Sequence, residues 1–166
     1  MNYVKRLAIN NTIQRVVFSI VLTYVITALH HAYGAWLYET PWRNHIVSQG
    51  VLWLLVCLVF LFVYKAWNQK WCYWVFFVLS FFFFFGAIGM YEGMYNHVLK
   101  NLLYYGELPE SMLLRLYPPP RYEMPNDLLF ETTGILSFMS GVFSGYVMIQ
   151  YSYFIILKRG KIKHKK

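Results

Sequence analysis

Charge is scarce in this sequence, and acidic charge is scarcest. Asp, Glu, Lys and Arg make up 13% of 166 residues, with 7 acids against 15 bases. Soluble globular chains carry about 25% charged residues. A chain this poor in charge and 58% hydrophobic has too little polar surface to cover a folded body of its size in water. Cysteine is almost missing. Cys57 and Cys72 are the only two and form no CxxC pair, which excludes both a disulfide framework and thiol exchange between vicinal cysteines. Also absent are HExxH, GxSxG, glycine-rich nucleotide loops and the multiple histidine boxes of membrane hydroxylases. The first hydrophobic run holds no single acidic residue of the small-multidrug-exporter kind, and no internal repeat is visible.

What is present is apolar length. Crossing about 30 Å of hydrocarbon takes about 20 helical residues, and runs of roughly that size fall at Val16–Leu37, Val47–Tyr64, Tyr73–Tyr95 and Leu128–Leu157. The fold class expected is therefore all-α. The whole of 1–166 forms one domain, a polytopic membrane protein of four transmembrane helices in a bundle. A structured extracytoplasmic loop, about 98–127, joins the third helix to the fourth, and a basic cytoplasmic tail occupies 158–166.

Charge placement orients the chain. The N-terminal arm (Lys5, Arg6, Arg15), the turn between the second and third runs (Lys65, Lys70) and the tail (Lys158, Arg159, Lys161, Lys163, Lys165, Lys166) are basic and free of acid. The carboxylates Glu39, Glu92, Glu107, Glu110, Glu123, Asp127 and Glu131 all fall toward the opposite side, where the cations are Arg43, Lys100, Arg115 and Arg121. The positive-inside rule then puts both termini in the cytoplasm, in the plasma (bacterial inner) membrane. The net charge of +8 suits anionic lipid headgroups at the tail. It does not form the aromatic-interleaved basic face that nucleic acid needs. The expected partners are the lipid bilayer and a membrane-protein partner or second copy of the chain, with no nucleic acid.

The outer loops carry most of the structure-fixing chemistry. Tyr38–His45 includes Glu39-Thr-Pro-Trp-Arg43. The longer loop holds a helical turn over Pro109–Tyr117, then Pro118-Pro119-Pro120, and finally Pro125-Asn126-Asp127, with Asn126 as the expected N-cap of the last helix.

At 100° per residue, the first, third and fourth spans each present one polar or small-residue stripe, while the second is nearly featureless apart from Ser48 and Gln49. In the first span Thr23, Thr27, His30, His31, Gly34 and Tyr38 fall within about 100°; in the third, Gly86, Gly89, Gly93, Asn96 and His97 share a sector with Glu92 about 40° beyond. In the fourth, Asp127, Glu131, Gly134, Gly141 and Gly145 lie within about 80°, flanked by Ser137 and Ser144. Small residues in register let membrane helices pack closely. Ionisable residues at that depth must pair, bind an ion or line water.

The polar ends of these stripes converge, which makes His30, His31, Glu92, His97, Asp127 and Glu131 the candidate metal ligands. Imidazole with carboxylate suits iron, copper or zinc, and paired histidines suit haem. Glu92 stands at a helix C-terminal end, the wrong end for a carboxylate, and needs a partner: a histidine, Lys100, Arg121 or a metal. It is the expected proton-transfer, and hence catalytic, residue. Three features argue the other way. Asp127 and Glu131 suit the start of a helix whatever their function. Glu92 and His97 stand about 140° apart on a regular helix, so they share an ion only where it unwinds near Gly93. Met90, Met94 and His97 are spaced for copper(I) but equally for packing. The function expected is a His/carboxylate pocket near the extracytoplasmic face, binding a metal or haem and redox-related. The alternatives are a non-catalytic subunit or assembly factor of a larger membrane complex, and a small enzyme acting on a lipid or quinone.

The charge asymmetry makes topology testable. Cysteine placed at Glu110 should react with an impermeant thiol reagent on intact cells, and cysteine at Lys163 should not. The reverse labelling pattern would move the pocket to the cytoplasmic side.

Overall fold

A computed structural model describes the backbone of residues 3–119 and 122–163, and the side chains of 11–119, 122–153 and 155. The side chains of Lys5, Arg6 and the basic tail, together with Pro120 and Arg121, lie outside what is described. Among the described residues the fold is helical without strands. Helix α1 covers Tyr3–Leu37 and a 3-10 turn covers Pro41–Asn44. Helix α2 covers His45–Trp67, α3 covers Lys70–Tyr105, the short α4 covers Glu110–Leu116, and α5 covers Leu128–Lys163. Four helices are long and apolar enough to cross a membrane, over Asn11–Leu37, Pro41–Trp67, Lys70–Tyr105 and Leu128–Tyr153.

Two boundaries differ from those read in the sequence. Helix α1 begins at Tyr3 and not near Val16, because Lys, Arg and Gln wind as readily as apolar residues. At ~1.5 Å per residue it is about 52 Å long, well over the ~30 Å hydrocarbon thickness. Helix α3 runs ten residues past Tyr95, to Tyr105. Asn96, His97 and Lys100 are polar yet buried, so polarity there marks an internal contact and not a helix end. The connection to α5 therefore starts at Gly106, after which Glu107 turns with φ 60° and Leu108 N–H bonds back to the Leu103 carbonyl. Glu39, with φ 50°, ends α1 in the same way, with Thr40 N–H on the Ala35 carbonyl. Asn68, φ 53°, closes α2 before the turn into α3, a conformation that asparagine tolerates.

The middle of α3, Phe81–Leu99, is π-helical, with each N–H reaching back five residues and not four. Among its buried positions, Phe84, Ile88, Gly93 and His97 follow the wider winding at four, five and four residues apart, with Gly89 and Asn96 buried beside them. Gly86, placed on the packed stripe at 100° per residue, falls off it: a Cβ there would meet only the Phe81 carbonyl, at 3.8 Å.

Helix α5 packs along both α1 and α3, while α2 packs against α1 and α3. The α3–α5 contact is backbone to backbone. A Cβ on Gly89 would come within 3.1 Å of the Gly141 Cα, and one on Gly93 would overlap the backbone of Phe138. Helices α1 and α5 are joined by a hydroxyl ladder, Thr23 to Ser144 at 2.9 Å and Thr27 to Ser137 at 3.2 Å. One half of the packed interior is apolar, built on Ile13, Val16, Ile20, Leu54, Cys57, Leu61, Phe76, Phe84, Val147 and Met148. The other half holds His30, His97, Lys100 and Glu131. Short α4 is tied to α3 by two reciprocal bonds, Tyr117 hydroxyl to the Tyr95 carbonyl and Tyr95 hydroxyl to the Leu116 carbonyl, each 3.0 Å.

The glycine contact predicts a stability difference. Gly141→Leu forces α3 off α5 and should destabilise the protein in detergent by about 1–3 kcal/mol or more. Phe82→Leu, at a ring 71% exposed, should leave the melting temperature near wild type. Equal melting temperatures for the two variants would overturn this packing.

Candidate metal centre

Three helices each contribute to one polar cluster. Helix α1 brings His30 and His31, about two turns before its end at Leu37. Helix α3 brings Glu92, Asn96, His97, Lys100 and Asn101, and α5 brings Phe130, Glu131 and Thr133 from its first turns. The π winding makes the α3 set possible. Five residues make one turn of hydrogen bonding in such a helix, so Glu92 and His97, which diverge on a regular helix, face the same way: Glu92 Oε1 lies 3.8 Å from His97 Nε2. Glycines make room for the rings. A Cβ on Gly134 would overlap the His97 imidazole, and one on Gly34 would press into Phe130, which stacks on His30 with ring centres 4.3 Å apart.

Glu92 Oε1 is the focus. His30 Nε2 lies 3.6 Å from it, His31 Nε2 3.7 Å and His97 Nε2 3.8 Å, while Asn96 Nδ2 donates to the other oxygen at 2.9 Å. The Nε2 atoms of His30 and His97 are 3.1 Å apart. His30, Glu92 and His97 thus offer three ligand atoms within 4.8 Å of one another, a group that could hold a metal ion. Around a tetrahedral ion with bonds of ~2.0–2.1 Å, neighbouring ligand atoms stand about 3.3–3.4 Å apart. The observed separations bracket that value.

The outer nitrogens set the tautomers. Thr133 hydroxyl lies 2.9 Å from the Leu129 and Phe130 carbonyls of its own helix, so its one hydrogen is used there. It can then only accept from His30 Nδ1, also 2.9 Å away. His97 Nδ1 donates to Glu131 Oε2 at 2.8 Å. In a neutral imidazole, a proton on Nδ1 leaves a lone pair on Nε2. Two such lone pairs at 3.1 Å repel unless a cation lies between or beside them. Histidines that bind metals are held in this way by a carboxylate or another acceptor behind the ring.

Charge pairing singles out the same place. Lys100 Nζ donates to Glu131 Oε1 at 2.9 Å, and Arg43 Nη2 stands 3.5 Å from Glu123 Oε1. Lys100 is thereby matched closely to a carboxylate and Arg43 only loosely. Lys100 does not serve as the cation of Glu92, and Arg121 lies outside the described residues. Three imidazoles surround Glu92, none within hydrogen-bond distance of Oε1.

The six residues singled out in the sequence divide. His30, Glu92 and His97 converge, and His31 reaches the same Glu92 oxygen from the other side. Its Nδ1 is buried without a hydrogen-bond partner among the described residues, so nothing behind the ring fixes it. Glu131 sits one layer out. Its oxygens are taken by His97, Lys100 and by Asn101 at 3.1 Å, so it orients a ligand and does not face the centre. Asp127 lies apart. Its Oδ1 accepts the Phe130 N–H at 2.7 Å and its Oδ2 the Tyr33 hydroxyl at 3.2 Å. It is the N-cap of α5, the role expected of Asn126, whose Oδ1 instead accepts the Tyr38 hydroxyl at 2.6 Å. Burial first, and then the charges of Glu131, Glu123 and Asp127, push Tyr38 up to about 12, so it stays a donor.

Two other ligand sets do not form. Met90 is 41% exposed while His97 is 2% exposed, so the Met90, Met94, His97 pattern does not share a face. Two axial histidines on a haem iron would need nitrogens about 4 Å apart at ~2 Å bonds, with the macrocycle between them; His30 and His97 are closer than that and edge to face.

The cluster opens into a cavity of about 300 Å³ lined by His31, Glu92, Asn96, His97 and Lys100 together with Trp42, Arg43, Tyr91, Tyr122 and Glu123. Sequence reasoning missed Thr133 and Asn101, which no spacing rule marks. It also left Arg43 as a loop residue, although an arginine flanked by Trp42 after a proline is a signal worth reading.

No protein-family model, curated protein or solved structure matches this chain, so what the protein does must be read from this site.

Proposed function

We propose that this chain is a four-helix transmembrane bundle of one domain, in the plasma (bacterial inner) membrane with both termini cytoplasmic, that binds a transition-metal ion in a pocket facing the extracytoplasmic side. His30, Glu92 and His97 are the ligands, the three whose donor atoms group together, and His31 lines the open side beside them. A two-histidine, one-carboxylate set with room beside it suits iron(II) or zinc. An ion there would supply Lewis-acid or redox chemistry to whatever occupies the cavity, and Glu92, which lines it, would move protons. The observation that carries this reading is the pair of Nε2 atoms 3.1 Å apart, each with its Nδ1 already committed, beside a carboxylate without a matched cation.

A second reading rests on the chain His30–His97–Glu131–Lys100, whose successive contacts are 3.1, 2.8 and 2.9 Å. The same groups would then share a proton in place of the ion and relay it between helices. Removing metal separates the two.

Metal analysis of purified, metal-replete protein should give one ion per chain. Glu92→Gln keeps the size and hydrogen bonding of the side chain but not its charge, and should lose that ion; His30→Ala and His97→Ala should lose it too. Glu131→Gln should retain it with affinity lowered about 10–100-fold, the usual effect of disturbing the group behind a metal-bound histidine. Asp127→Asn keeps a capping side chain, so it should keep the ion and lose roughly 0.3–1 kcal/mol of stability. Wild-type protein that holds no ion under any metal supplied, or a Glu92→Gln variant with full metal content, would sink the proposal and leave the proton relay.

A further inference from the structure

The cavity has a second built feature, at Arg43. Arg43 sits in the 3-10 turn between α1 and α2 and is 6% exposed. Its guanidinium lies over three rings, Trp42 at 5.1 Å, Tyr38 at 5.3 Å and Phe130 at 5.5 Å. Aromatic rings against its faces hold the plane of the guanidinium fixed. What it has to offer is its edge. Nε and Nη2 are buried without a hydrogen-bond partner among the described residues. These two nitrogens form one side of the guanidinium, the fork that grips two oxygens of a carboxylate or phosphate at once. Buried donors left unmade are costly, and both belong to a residue lining the cavity.

Glu123 does not fill the fork. Its carboxylate reaches Nη2 at 3.5 Å, beyond a good hydrogen bond, and its side chain is 28% exposed against 7% for Arg43. The arginine is fixed and its counter-ion is loose, the arrangement in which an incoming oxyanion displaces the counter-ion. Lys100 lines the same cavity. Its ammonium donates to the Glu123 carbonyl at 2.6 Å and to Glu131, which leaves one of its three hydrogens uncommitted. Trp42, Tyr91 and Tyr122 give the cavity aromatic walls, and about 300 Å³ is the small end of organic-ligand pockets.

We propose that this cavity binds the oxyanion of a small organic molecule, a carboxylate or phosphate, in the Nε–Nη2 fork of Arg43. The same chemistry is available from a free metabolite-sized anion or from the headgroup of an anionic lipid entering from the membrane. The site lies beside the proposed metal centre but does not depend on it, because none of the metal ligands belongs to the fork.

The test uses full-length protein and three probes: inorganic phosphate and benzoate by calorimetry in neutral detergent, and phosphatidylglycerol against phosphatidylcholine nanodiscs by native mass spectrometry. At least one oxyanion should bind, and Arg43→Lys, which keeps the charge but not the fork, should weaken it by about tenfold or more. Binding of phosphate or benzoate assigns a free anion; binding of phosphatidylglycerol alone assigns a headgroup. Glu123→Gln removes the competing carboxylate and should tighten the same probe, which keeps the test open should Arg43 variants fail to fold. Absence of binding by every probe, equal affinity in wild type and Arg43→Lys, or unchanged or weaker binding in Glu123→Gln would overturn the proposal. Metal content should stay at the wild-type level in both variants, so this site and the metal centre stand or fall separately.

Discussion

The contact between α3 and α5 governs everything built at the polar end. Gly89 against Gly141 and Gly93 against Phe138 bring two backbones together with no side chain between them. Apolar side chains are no more at home against one another than against lipid, so what holds membrane helices together is close van der Waals contact and hydrogen bonds between them. Close approach at these glycines sets the reach of every residue further along. Near the polar end the His97 ring lies on Gly134, and Glu131 spans to His97, Lys100 and Asn101. Lengthening that distance by one methylene would separate the carboxylate from three donors at once.

Electrostatics then divides the pocket into two neighbouring sites. Charges removed from water must be matched, and the weaker the dielectric screening, the more strictly. Lys100 and Glu131 match one another closely at 2.9 Å and are both nearly inaccessible. Arg43 and Glu123 match loosely. Glu92 is surrounded by imidazoles whose outer nitrogens, for His30 and His97, are already committed. The proposed cation at Glu92 and the proposed anion at Arg43 would share one cavity, which both residues line.

The π winding of Phe81–Leu99 connects the packing to the chemistry. A wider turn spreads the buried positions to four and five residues apart, which places Glu92 and His97 on one side while keeping Gly89 and Gly93 against α5. The two requirements conflict in a regular helix. Such widened turns occur preferentially where a site needs them.

How much of this was legible in the sequence follows from the range of each interaction. Hydropathy is a local sum, so the four runs, their approximate limits and the small-residue stripes of α1 and α5 could be read directly. The convergence of His30, His31, Glu92, His97 and Glu131 at one end also followed, because span direction and depth are set by position along each run. Depth alone could not sort ligands from supports. Asp127, Glu131 and Glu92 have the same chemistry, and their places as helix cap, partner of His97 and proposed ligand depend on Phe130 N–H, His97 and His30, partners up to 62 positions away between His30 and Glu92. The end of α3 was misplaced because polar residues stop a span only when they face water, and Asn96, His97 and Lys100 are buried; α1 winds from Tyr3 because helix propensity does not end where the apolar run does. The register joining Glu92 to His97, the tautomers fixed by Thr133 and Glu131, and the ungripped edge of Arg43 exist only once three helices and a loop have met. They are contacts between distant segments, and no local property of the chain encodes the distance at which those segments come to rest.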